Sequence, residues 1–121
     1  MSEPAADRSP GIVAAAISRS VVQLMHEFTG RGPTRARTYI ADDLITVLLQ
    51  DTLTMVERSL VRDGRVDLVM ATRWAFQETM ECQMIAAVEQ HSGRRVSAFL
   101  SANNVDPDTA IECFLLEAEA D

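Results

Sequence analysis

Apolar residues recur every three to four positions over residues 10–28, at Val13, Ile17, Val21, Leu24 and Phe28. That is the spacing of one helix face. Ser9 and Pro10 mark its start, because a Ser oxygen caps free N–H groups and Pro tolerates the first helical position. Gly30 follows where a helix end favours a positive φ. The period then changes. Residues 38–40 and 44–49 are rich in β-formers and flank Asp42-Asp43, which predicts a hairpin. Asp accepts the left-handed conformation such a turn needs. If the first strand begins near Arg35, then Arg35, Arg37 and Tyr39 share one face, since side chains alternate.

Thr54-Met55-Val56-Glu57 fits a capping box and Gly64 a stop, so a short helix joins them. A longer helix is expected over residues 66–91, closed by Gly93. At 100° per residue, Val66, Val69, Phe76, Met80, Met84 and Ala87 fall on one face, widened by Met70, Trp74, Ile85 and Val88. Glu78, Cys82 and Glu89 fall opposite, a pattern that reads as a solvated face. The wide apolar arc exceeds what one sheet should cover and predicts a subunit interface, most simply a homodimer. Residues 96–100 and 110–116 read as two further strands, joined by a turn containing Asn103, Asn104, Asp106, Pro107 and Asp108. The order α-β-β-α-α-β-β predicts an α+β domain: an antiparallel four-stranded sheet of two hairpins with helices packed against it. Residues 1–8 read as a disordered tail and 9–121 as a single domain.

The 121 residues carry 11 cations and 18 acids, a net charge of −7, and every cation is Arg. That balance argues against nucleic acid as a partner. No apolar run reaches the ~20 residues of a membrane span, so no membrane insertion is expected. The first residues are acidic rather than those of a signal peptide, which predicts a cytoplasmic location. Two cysteines in such a chain should stay reduced. His26, His91, Cys82 and Cys113 show no ligand spacing, so neither a metal nor a cofactor is expected. No nucleophile–base arrangement is visible, and no catalytic residue is assigned.

Two features hold candidate chemistry. Arg73 stands near the middle of an apolar helix face, where a desolvated guanidinium needs a carboxylate. It is a candidate for a buried ion pair first and a functional group second. The run Gly30-Arg31-Gly32-Pro33-Thr34-Arg35-Ala36-Arg37 concentrates three guanidinium groups in an acidic chain. Arg31, Gly32, Arg35 and Arg37 form a candidate site for an anion or an acidic partner. The alternative is a helix-capping turn whose arginines pair with Asp42, Asp43 or Glu27. Arg31, between two glycines, is expected to be the most exposed of the three.

The segments GRGPTRARTYIADDLITVLLQDTLTMVERSL, RWAFQ and SGRRVSAFLSANNVDPDTAIECFLLE resemble a small bacterial family of unknown function. It is the MpsC-type domain, named for a Na+-translocating membrane-potential-generating system. The likeness runs over residues 12–117 and is most specific at Gly30–Pro33, at Tyr39-Ile40 with Asp42-Asp43, and from Val105 to Glu117. It implies no catalytic residues. Together with the absence of a membrane span, the resemblance implies a non-enzymatic cytoplasmic accessory protein, a peripheral partner of membrane transport subunits. A small-anion or nucleotide-binding regulatory domain using the Gly30–Arg37 loop is the alternative.

Overall fold

The computed structural model describes residues 9–119, and the tail expected over residues 1–8 lies outside them. Helix α1 (Pro10–Thr29) leads into a hairpin of β1 (Arg35–Ala41) and β2 (Leu44–Gln50). Two helices follow, α2 (Met55–Arg62) and α3 (Val66–Ser92), and then a second hairpin, β3 (Val96–Asn104) and β4 (Thr109–Leu116). The strands form one antiparallel sheet in the order β1-β2-β4-β3. This is the α+β architecture that the sequence pattern predicts.

Local signals set the element ends. Gly30 takes φ 76° and returns its N–H to the His26 carbonyl, closing α1. Asp42 supplies the left-handed residue of the β1–β2 turn, at φ 52°. The Thr54 side chain accepts from the Glu57 N–H while the Glu57 side chain accepts from the Thr54 N–H, so the capping box is complete. The second hairpin is longer than expected: Asn103 and Asn104 continue β3, paired with Ala110 and Thr109.

Period decides where the core sits. In β2, Ile45, Val47 and Leu49 are buried; in β4, Ala110, Glu112, Phe114 and Leu116. Onto this inner face pack Val13, Ile17, Val21 and Met25 of α1, with Met80, Met84 and Val88 of α3. Phe99 of β3 meets Phe114 at 5.1 Å between ring centroids, in a tilted contact. The long helix buries less of its arc than its pattern suggested. Val66, Met70 and Trp74 are exposed, and the buried side of its first half consists of Val69 and Arg73.

Phe114 is fully buried at the centre of this core. Phe114→Ala should therefore lower the unfolding free energy by about 3–5 kcal/mol, read from urea denaturation. A loss below about 1 kcal/mol would mean that the core is organised around other side chains.

Candidate functional site

At one end of the molecule, polar side chains from four other segments converge on Arg73. Its Nε donates to Glu57 Oε2 at 2.8 Å and its Nη2 to Glu57 Oε1 at 2.9 Å, a bidentate pair between α3 and α2. Nη2 also donates to the Thr52 carbonyl at 2.8 Å, and Nη1 to Thr52 Oγ1 at 2.7 Å and to Asn103 Oδ1 at 3.3 Å. Guanidinium has five N–H donors, and all five are used. The β3–β4 turn joins the cluster through Asp108, which accepts from Thr52 Oγ1 and from the Leu53 N–H, both at 2.8 Å. Arg73, Glu57 and Thr52 are all buried. Burial alone would raise the Glu57 carboxyl, but Arg73 and the Thr54 N–H outweigh it and hold it below its usual range.

The same guanidinium borders a small cavity shared with Met25, Phe76, Met80, Asn103 and Glu112. Its volume is about 20 Å³, room for about one water-sized molecule and far below the few hundred Å³ of a substrate pocket. Glu112 is 3% exposed, and its Oε2 has no hydrogen-bond partner among the described residues. Ser101 faces it across the β3–β4 pair, its hydroxyl interacting with the carboxyl without forming a well-aligned hydrogen bond. Burial pushes the Glu112 carboxyl up to about 7, and the Ser101 hydroxyl and the Arg73 charge offset only part of this. The sequence reading singled out neither acid. Glu57 was visible only as a capping residue. Glu112 was visible in principle, because alternation places it with Ala110, Phe114 and Leu116.

The arginine-rich loop is dispersed rather than assembled. Arg31 pairs with Asp51 at 2.6 Å, and Asp51 also receives Arg58. Asp51 stands at φ 58° just past β2. Arg31 is half-buried while Arg35 and Arg37 are exposed, so the expectation that Arg31 is the most exposed is reversed. Its partner is an acid that folds back from the end of β2, not Asp42, Asp43 or Glu27. Asp43 instead pairs with Arg94. A Cβ on Gly32 would stand 3.2 Å from Val22 Cγ1 and 3.4 Å from the Val22 carbonyl oxygen, so close packing on α1 accounts for this glycine. Arg35 and Arg37 lie on the sheet face turned away from the helices, Arg37 reaching the Tyr39 hydroxyl at 3.4 Å.

The sequence model of the family described as the Na+-translocating membrane potential-generating system (MpsC) matches residues 10–118. The chain belongs to the MpsC family. No match is found among curated proteins or among solved structures. The matched region runs from the start of α1 past the end of β4, so the whole Arg73 cluster lies within the MpsC domain. No described helix is long and apolar enough to cross a membrane. Among the described residues, no group of three or more His, Cys, Asp or Glu could hold a metal ion.

Two measurements probe this MpsC cluster. Arg73→Met leaves the Glu57 carboxylate buried without its cation and should cost about 3–5 kcal/mol. A cost below about 1 kcal/mol in urea denaturation would show that the pair is solvated. The second concerns pH. The unfolded Glu112 carboxyl ionises near 4.5 and the folded one near 7, so the stability that protonation provides is complete below about 4.5. It is lost as pH rises through about 7. Glu112→Gln, which mimics the protonated acid, should match the parent at pH 4 and exceed it at pH 8 by up to about 3 kcal/mol. Parallel stability–pH curves for the two proteins would place the Glu112 carboxylate in water.

Proposed function

We propose that this MpsC-family chain is a non-enzymatic, cytoplasmic accessory protein that docks onto a subunit of a membrane ion-transport system. The observation that carries this reading is the concentration of exposed apolar side chains on the α2–α3 hairpin. Met55 and Val56 are 85% and 71% exposed and Trp74 63%, with Val66, Leu68 and Met70 also open to solvent. Large apolar groups held out on two rigid helices are the usual mark of a protein interaction surface. Arg73 and Glu57 fix α2 against α3 beneath these residues. The family description supports a membrane transport system as the setting.

The polar cluster itself favours a structural role over catalysis. Every donor of Arg73 is committed inside the protein, and the adjoining cavity is too small for a substrate. The small-anion reading keeps only Arg35 and Arg37, because Arg31 is held by Asp51.

The test is affinity capture from detergent-solubilised membranes of the native cell, with the parent protein and with Trp74→Glu. Recovery of an integral-membrane subunit of a cation transporter by the parent, reduced at least tenfold by the variant, is the expected result. Equal recovery by both, or recovery of no membrane transport subunit, would overturn the proposal.

A further inference from the structure

Among the described residues nothing covers the side of the sheet that faces away from the helices, and three of its four register rows are largely apolar, while the fourth (Arg35, Gln50, Thr109 and Asn104) is polar. Register places Tyr39, Thr46, Cys113 and Leu100 in one row, and Arg37, Leu48, Ile111 and Ala102 in the next. Ala41, Leu44, Leu115 and Ala98 form a third row. Tyr39, Leu44, Leu100, Ile111 and Leu115 are between 38% and 62% exposed. An antiparallel sheet with one solvated face alternates apolar and polar residues, whereas strands covered on both faces read as near-continuous apolar runs. β2 (LITVLLQ) and β4 (TAIECFLL) are of the second kind. Their sequence is that of strands buried on both sides.

We infer that this face is covered by the same face of a second copy, giving a two-fold, sheet-on-sheet homodimer. Size supports it. Four strands about 4.8 Å apart and about seven residues long have a projected footprint of about 450 Å². Projecting side chains raise the accessible area to roughly 600–700 Å² per copy, within the lower range of specific interfaces.

Charge supports a copy of this chain as the occupant. With a net charge of −7, two copies repel over most of their surfaces, but no Asp or Glu stands on this face of any strand. Its charges are Arg35 and Arg37, at the β1 edge. Arg35 has no ion pair among the described residues, and neither do the side chains of Asp42 and Asp106 at the rim. Arg35 lies level with Asn104 on the far edge strand, three strand spacings or about 14 Å away, too far to pair with the adjoining Asp106 within one chain. A two-fold axis along the strands lays β1 over β3 of the second copy and brings Arg35 to the partner's Asp106. An axis across the strands lays β1 over β1 and brings Arg35 to the partner's Asp42. Either way the face is complementary to itself, as an isologous interface requires. This inference goes beyond the docking reading and uses a different surface, so the α2–α3 hairpin stays open in the dimer.

Sedimentation equilibrium over 1–100 µM tests it, with folding of every variant checked by circular dichroism. The parent should sediment at twice the 13.3 kDa chain mass, and a monomer at 100 µM overturns the proposal. Leu100→Glu and Ile111→Glu place acids on exposed positions of the face and should yield folded monomers. Trp74→Glu should leave the dimer intact, which separates this interface from the docking surface. A dimer that survives both face substitutions, or is lost with Trp74→Glu, overturns the assignment. Arg35→Glu should raise the dimer Kd roughly tenfold. Adding Asp106→Arg or Asp42→Arg should restore it, the effective partner identifying the axis. Restoration by neither overturns the charge pairing on which the choice of occupant rests.

Discussion

The buried guanidinium of Arg73 is the constraint around which one end of this molecule is organised. A desolvated cation costs far more than most single contacts return, so every one of its donors must be met. Meeting them requires the loop after β2, the first turn of α2, the end of β3 and, through Asp108, the β3–β4 turn to arrive at one point. The aliphatic and aromatic core beneath the helices sets how strongly the chain folds. The guanidinium sets how the two hairpins and the α2–α3 pair are oriented against each other.

Beside it, Glu112 has the opposite electrostatic condition. Glu57 is held ionised by its cation, while Glu112, on the same cavity, is pushed towards neutrality by burial. The two carboxyls impose pH dependences of opposite sign. Stability contributed by Glu57 falls as acid protonates it, and that contributed by Glu112 falls as base removes its proton. The domain is thereby biased towards an optimum between the two titrations.

Most of the architecture could be read directly from the chain, because its punctuation is strong. The Thr54–Glu57 box, Gly30 and the left-handed Asp42 each force one local outcome, and the strand period places Ile45, Val47, Leu49 and Phe114 inwards. Arg73 was recognisable as an ion-pair candidate because a charge in an apolar arc demands a partner. Its partner was hidden, since Glu57 already had a sufficient local role in capping α2. The Arg31–Asp51 pair was equally hidden: it depends on Asp51 turning back at φ 58°, a tertiary closure with no sequence periodicity. The outer sheet face is hidden in the sequence for another reason. A strand apolar on both sides gives no alternation to detect, whereas the wide arc of α3, whose surplus lies near its first turns, stands out by its period.

Glu57 also joins two levels of organisation that are usually separable. The same carboxylate accepts the Thr54 N–H that starts α2 and holds the cation that anchors α3. A helix of eight residues has little stability of its own, and releasing it takes from the buried Arg73 its carboxylate partner. Fraying of α2 is therefore coupled to exposure of the α3 anchor and of the β3–β4 turn. The short helix opens as part of one larger cooperative unit rather than as an independent flap. The apolar hairpin surface thus rests on the same carboxylate that starts α2 and anchors α3.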